Sequence, residues 1–499
     1  MRTIKYGITL LLLISLPFLT AKCATPAFYN IKDYGALGDN TNLDSKAINK
    51  AIDAAAVAGG GTVFVPAGNY RCGAIHLKSN VSLFLDQGAT IIAAPVSAVN
   101  GYDEEEPTVN TTYQDSGHSH FHNSLIWGEN VHDVSILGQG TIFGKGLYRD
   151  YVKDKQSANK AIALYKCRNV NISDITIAHG GWFGILATGV DNLTIKNVKE
   201  DTNRDGMDID CCRNVHISDC SVNSPYDDGI CLKSTFALGF ARATENVTIT
   251  NCEVSGFIEG SFLDGTYKTN DPHNHEPTGR IKLGTESNGG FKNITISNCV
   301  FANCRGLALE TVDGALLEDI TIDNITMRDI YNAPIFMRLA SRMRGPDSAV
   351  IGQLRRVIIS NVVVYSAKEA ILISGIPGHD IKDVELRNMK FYFKGNGTAE
   401  QANRTVPEME KGYPEPDSFG ALPAYGIFAR YVDGIKLEDI ELNFISQDQR
   451  PAIVLDGVTD ATLRFLKASP GTITQVISSK NSTGVTLFQS LNLPDGNLK

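Results

Sequence analysis

Residues 203–234 read NRDGMDIDCCRNVHISDCSVNSPYDDGICLKS. Inside that stretch the phrase from Asn214 to Cys220, NVHISDC, alternates apolar and polar residues as a half-buried strand does. The same phrase returns as NVTITNC from Asn246 and NITISNC from Asn293, and related phrases open at Asn169 and Asn192. It then degenerates to starts at Asp319, Arg356, Asp383 and Gly434. The shortest separations are 22 and 23 residues, and the longer ones leave room for loops inserted into a coil of that length. Each phrase is too short to bury its apolar face alone, so successive coils must stack, each strand pairing with its copy above and below. This predicts an all-β chain, a parallel β-helix (solenoid) that is right-handed by the chirality of its crossovers, with asparagine at the turns.

The cysteines agree with that stacking. Cys220, Cys252 and Cys299 close the same phrase, in a slot that elsewhere holds Ile175, Val198, Ile325 and Val362. A slot that accepts Ile, Val or Cys is a core position, where a free thiol packs as a small hydrophobe. Ten cysteines in an exported chain would otherwise suggest disulfides, but an interior ladder fits the spacing better.

Upstream, Ala47, Ile48, Ala51, Ile52 and Ala55 recur at helical spacing, with Asp44 or Ser45 as N-cap and Gly59-Gly60-Gly61 as the stop. This helix is expected to cap the N-terminal end of the solenoid. Thr62 to Val65 and Val81 to Leu85 read as its first short strands. Earlier still, Arg2 and Lys5 precede an apolar run from Ile8 to Leu19 and small residues near Ala21 and Ala24. Residues 1–23 are therefore read as a secretory signal rather than a membrane span, with residues 24–499 forming one β-helix domain. Cys23 is a candidate site for a lipid anchor, although Lys22 before it is unusual there and simple cleavage is preferred. The expected location is the periplasm or the extracellular space. The formal charge of −9, without basic clusters, argues against nucleic acid as a partner, and a monomer is the expectation. The Pro-, Gly- and charge-rich segment from Lys394 to Tyr425 reads as a long loop over one face.

The acids of the opening stretch carry the chemistry. Asp205 precedes Gly206, and Asp227 with Asp228 precedes Gly229 one coil later. Carboxylates on neighbouring coils about 4.8 Å apart raise one another's pKa, which suits a general acid beside an ionised partner. Hydrolysis of a glycosidic bond needs that pair. The competing reading is that these are ordinary turn residues, since Asp-Gly is a frequent turn.

The capped start, the coil period and the segments NRDGMDI and YDDGICLKS resemble glycoside hydrolase family 28, the polygalacturonase and rhamnogalacturonan hydrolase group, from Tyr29 to about Ile440. The resemblance implies a right-handed parallel β-helix that cleaves α-galacturonosyl linkages of pectin with inversion and needs no metal or other cofactor. By it, Asp227 is the general acid, Asp205 and Asp228 hold and deprotonate the water, and Asn203 orients Asp205 or the sugar. Arg204 stands where the family has threonine, a change expected to leave the acids untouched.

The departures bear on substrate. The family's Gly-His-Gly is absent, with Thr278 near the place of its histidine, and Arg280-Ile281-Lys282 lies one coil early. Where the family's basic pair is expected, Arg305-Gly306-Leu307-Ala308-Leu309-Glu310 places alanine and glutamate. Glutamate repels a carboxylate, so a neutral sugar such as rhamnose is expected there. Lys233, Arg280 and Lys282 remain as candidate partners of a galacturonate on the other side. The preferred expectation is hydrolysis of the galacturonosyl-α-1,2-rhamnose bond of rhamnogalacturonan, from the chain end. A polygalacturonase, a calcium-dependent pectate lyase and a non-catalytic carbohydrate-binding solenoid are the alternatives. Trp182 is a candidate for stacking on sugar or for the core. His118, His120 and His122 alternate but are flanked by loop residues, so substrate contact is preferred to a metal site. Asp103 to Glu106 reads as a solvated acidic loop.

Overall fold

The computed structural model describes residues 28–97, 99–108, 111–148, 158–271, 275–347, 349–471 and 475–498. The expected signal segment and Cys23 lie outside these residues. The strands stack as a right-handed parallel β-helix; among the named strands only Gly496–Leu498 pairs antiparallel, with Thr483–Phe488. Each regular coil lays backbone on three sheets, A, B and C, as three short strands in the middle of the chain and with B and C joined in one strand from Phe291–Cys304 through Ile381–Gly395. One coil comprises Phe183–Thr188, Asp191–Lys196 and Lys199–Asp201, and the next Met207–Asp210, Arg213–Ser218 and Ser221–Asn223.

The repeated phrase is the strand of sheet B. Leu193, Val215, Val247, Ile294, Ile320 and Val357 stand in one register column, all buried. Every phrase opens on a left-handed turn residue, with φ from 53° at Asn293 and Asp383 to 77° at Gly434. Asparagine tolerates that conformation better than other side chains do, and here its amide also bonds the coil below. Asn169 donates to Asp133 at 2.8 Å, Asn192 to Asn169 at 2.8 Å, Asn214 to Asn192 at 3.0 Å, Asn246 to Asn214 at 3.0 Å and Asn293 to Asn246 at 2.9 Å. The regular coils begin earlier than the phrase suggested: Gly61–Val65 pairs with Val81–Leu85, which pairs with His132–Gly138. They include the short strands expected at Thr62 to Val65 and Val81 to Leu85, with Asn80 and Asp133 as their left-handed opening residues. The nine cysteines from Cys72 to Cys304 are buried free thiols, and Cys299 stacks on Ile325, which stacks on Val362.

Helix α1 (Ser45–Val57) buries Ala47, Ile48, Ala51, Ile52 and Ala55 against the first coils. Asp44 stands at its N-cap position, but its carboxylate accepts from Leu37 N at 2.7 Å and Gly38 N at 3.0 Å, tying the preceding turn instead.

Two excursions cross the outer face of sheet A. Phe121, from the segment between sheet strands near residues 94–123, packs with Ala163, Trp182, Phe183 and Leu186. Residues 396–426 lay Val406, Phe419 and Leu422 over Ala308, Phe336, Leu372 and Phe428. The first covers coils before the paired acids and the second covers coils after them.

Candidate functional site

Sheet A carries the site because side chains alternate along its strands. Met207 and Ile209 point into the core and Asp208 and Asp210 outward; on the next strands Ile230 and Leu232 alternate with Cys231 and Lys233, and Ile281 and Leu283 flank Lys282. The acids stand on the turns leading into these strands. Met207 pairs with Ile230, so Asp205 is level with Asp228 and Arg204 with Asp227. The expected match of acids on adjoining coils is therefore between Asp205 and Asp228, with Asp227 one step toward the cleft. One oxygen from each of Asp205, Asp227 and Asp228 lies within 4.8 Å of the others.

Their surroundings differ. Asp205 and Asp228 are buried, whereas the Asp227 side chain is 29% exposed. Burial and the charge of Asp227 push the Asp205 carboxyl well above the ordinary range. Desolvation and the charge of Asp228 push Asp227 up, against the pull of Arg204. Asp228 goes the other way: burial opposes its ionisation, but Lys282 and Arg280 overcome it and hold the carboxyl far below the ordinary range. Arg280 Nε donates to Asp228 Oδ1 at 2.7 Å and Lys282 Nζ lies 3.2 Å from Oδ2. The cluster thus holds one carboxyl that its cations favour in the ionised form and two that retain protons more readily, a division suited to acid and base work.

Arg204 does not leave the acids untouched. Its Nη2 donates to Asp227 at 2.9 Å while its guanidinium lies 4.9 Å from the centre of the Trp182 ring. Trp182 is buried and stacks on Phe183, so it serves both the wall of the site and the packing. The remaining expected binders lie beneath the acids. Lys233 Nζ is 3.1 Å from Glu286 and 3.9 Å from Asp208, and Lys282 is also within 3.2 Å of the Tyr413 hydroxyl. Asn203 lines a cleft of about 690 Å³ with Arg204, Tyr226, His275, Glu276, Thr278 and Arg305. All of these belong to the turns between sheets C and A, so the cleft opens along the edge where the acids stand.

Several neighbours were not foreseen. His118 Nε2 meets Asp208 Oδ2 at 2.7 Å, both side chains being buried, and Asp208 adds to the rise of the Asp205 pKa. Asp208 was readable from the alternation Asp205-x-x-Asp208-x-Asp210. Tyr413 and Glu415, on the excursion over sheet A, had no periodic signal. Nor is the Asp103 to Glu106 segment merely solvated: Asp103 meets His76 at 2.7 Å, Glu106 accepts from Phe121 N at 2.7 Å and Glu105 from Asn123 at 3.0 Å. The three histidines also diverge. His118 faces Asp208, while His122 meets Glu129 at 2.8 Å and His120 meets the Glu106 carbonyl at 3.0 Å.

Among the described residues, Asp205, Asp227 and Asp228 form the one group placed to share a metal ion. Arg204, Arg280 and Lys282 already supply the positive charge that a divalent cation would bring, which works against a calcium-dependent lyase.

Residues 28–276 match the family model described as rhamnogalacturonase A/epimerase, pectate lyase-like. A probable polygalacturonase of Vitis vinifera is 25% identical over 318 residues, 60% of this chain and 60% of that protein. An exo-poly-alpha-D-galacturonosidase of Dickeya chrysanthemi is 27% identical over 303 residues, 56% of this chain and 41% of that one. The chain thus spans less than two thirds of the length of either relative. The family 28 exopolygalacturonase of Yersinia enterocolitica superposes with a TM-score of 0.63 at 17% identity, over 93% of this chain and 78% of that chain, a likeness of fold.

Proposed function

We propose, from the premise that the chain belongs to glycoside hydrolase family 28, its residues 28–276 matching the rhamnogalacturonase A/epimerase, pectate lyase-like model, that the protein is an exported inverting hydrolase of α-galacturonosyl bonds in pectin. The observation that carries this reading is the unequal acid trio on two adjoining coils. Asp227, facing the cleft with a raised pKa, protonates the leaving oxygen. Asp228, kept ionised by Arg280 and Lys282, takes the proton of a water that Asp205 helps to hold. Asn203, on the cleft wall beside them, orients the sugar.

Two-carboxylate inverting enzymes commonly space their carboxyls by about 6.5–9.5 Å, and retaining ones by about 5–5.5 Å. Nearest oxygens within 4.8 Å are tight for inversion, which then requires the water to rest on Asp205 and Asp228 together rather than between acid and base. Proton NMR of the first-formed anomer decides this: a β product from the α bond supports inversion, and an α product assigns one of the acids as a nucleophile.

The preferred substrate is the galacturonosyl-α-1,2-rhamnose bond of rhamnogalacturonan, because Ala308 and Glu310 stand where the family's basic pair is expected and Glu310 is fully buried. The names of the two relatives favour a second reading, a polygalacturonase. Rates on defined oligosaccharides separate them: equal or faster cleavage of oligogalacturonate sinks the rhamnogalacturonan reading.

A further inference from the structure

Glu415 lies on the excursion that crosses sheet A after the acids, and it reaches back to them. Its carboxylate contacts both terminal nitrogens of Arg280, at 3.2 Å for Nη1 and closer for Nη2, and it lies 3.0 Å from Arg305 Nη1. Arg280 is at the same time bonded to Asp228, and Arg305 lines the open cleft. Although burial opposes it, Arg280, Lys282 and Arg305 hold Glu415 ionised. A carboxylate gripped by two guanidinium groups beside a reactive centre has the geometry with which proteins bind anionic ligands.

The other charges on this side are also matched from within. Lys282 lies between Asp228 at 3.2 Å, the Tyr413 hydroxyl at 3.2 Å and Glu310 at 3.9 Å, and Arg305 is 3.9 Å from Asp417. Arg280, Lys282 and Arg305 therefore face the three carboxylates of Asp228, Glu415 and Asp417, while burial pushes Glu310 up to about 7, so these three cations carry no surplus charge for a substrate carboxylate beside them. The register sharpens this, since Lys282 stacks on Ala308. The basic pair is one coil nearer the acids than the family pattern puts it, where it serves Asp228.

We propose that Glu415 is a specificity-determining residue: a built-in carboxylate that fills the Arg280–Arg305 anion clamp, which takes Arg280 from the galacturonate side where it was first expected to the leaving-group side, so that this side accepts a neutral sugar and rejects a uronate. This rests on the hydrolase reading above and goes beyond the Ala308 and Glu310 replacement, because a pair of arginines is still present and it is Glu415 that closes it. A galacturonate residue entering there would have to displace Glu415 or lie against it unpaired.

The test compares kcat/KM on oligogalacturonates with kcat/KM on galacturonosyl-rhamnose oligosaccharides, for the full chain and for Glu415→Gln and Glu415→Ala. The wild type is expected to prefer the neutral leaving group. Each variant should lower that preference about tenfold or more, mainly through a smaller KM for oligogalacturonate. In Glu415→Ala, added formate should refill the clamp and restore the preference. An unchanged preference overturns the proposal. So does a change that formate leaves unaltered, or loss of both activities without rescue, since each makes Glu415 a structural prop. A wild-type protein that cleaves neither substrate sinks the hydrolase reading itself.

Discussion

Arg204 ties the exposed member of the acid trio to a cation that is itself 26% exposed at the side chain, so the proton on Asp227 responds to the cleft. Its positive charge favours the ionised form of Asp227, and its removal must raise the pKa of that carboxyl. In Arg204→Thr the general acid should stay protonated to higher pH, and the alkaline limb of the kcat/KM profile should move upward. An alkaline limb that stays in place would assign the profile to another group. Asp227→Asn, which keeps shape and loses the proton, should cost about 10²–10⁴-fold in kcat with unchanged far-ultraviolet circular dichroism. The three aspartates could be read from the sequence because Asp-Gly recurs at the coil period. The Arg204 contact could not, because only the register, Asp205 level with Asp228, puts residue 204 beside residue 227.

At the scale of the strand, Lys199–Asp201 holds an anomaly. Glu200 stacks between Ile177 and Val222 inside the coil, fully buried, and neither carboxyl oxygen has a hydrogen-bond partner. A Cβ added at Gly184 would lie 1.4 Å from Glu200 Oε1, so glycine at 184 is what leaves room for it. Desolvation, with Asp208 and Asp201 nearby, raises the Glu200 pKa well above its ordinary value. A carboxyl with a raised folded-state pKa binds its proton more tightly in the folded chain. Its destabilising effect therefore starts above the unfolded value of about 4.3 and grows as pH rises toward the folded value. Glu200→Gln should raise Tm at neutral pH and leave it nearly unchanged near pH 4, as differential scanning calorimetry can measure. Asp228 has the opposite sign: its depressed pKa contributes stability above the ordinary carboxylate range, lost as pH falls. Arg280→Met should cost about 3–5 kcal/mol by leaving buried acids unpaired. The strands themselves were largely legible, since Asn-aliphatic alternation marks both the turn and the buried face. Glu200 was not, because it occupies an aliphatic slot without disturbing the spacing.

On the scale of the whole molecule, the acids lie in a gap between two coverings of sheet A, one anchored by Phe121 and the other by Phe419. An extended polymer laid along the coils would collide with one or the other. Under the hydrolase reading, digestion should release monomeric or very short products from the first minutes, seen by anion-exchange chromatography, and an early ladder of long oligomers would contradict it. Solenoid and capping helix followed from periodicity. The second covering was expected as a loop over one face, but the side chains that seat it were not legible, because residues 396–426 carry no repeat and are held by apolar contacts with sheet A. Among the described residues no helix is long and apolar enough to cross a membrane.

The paired coverings also govern what happens after a bond breaks. An enzyme open along its length can keep hold of a polymer and advance by one sugar, whereas a blind recess has a single way in and out. Here the coverings flank the acids on both sides, and the cleft edged by Asn203, Tyr226 and Arg305 opens beside them. Under the hydrolase reading, a chain end that enters there has to withdraw before the cleaved sugar leaves, so each cleavage is expected to end in dissociation. A catalyst of that kind would be distributive, with turnover set by the escape of its product and insensitive to the length of its substrate.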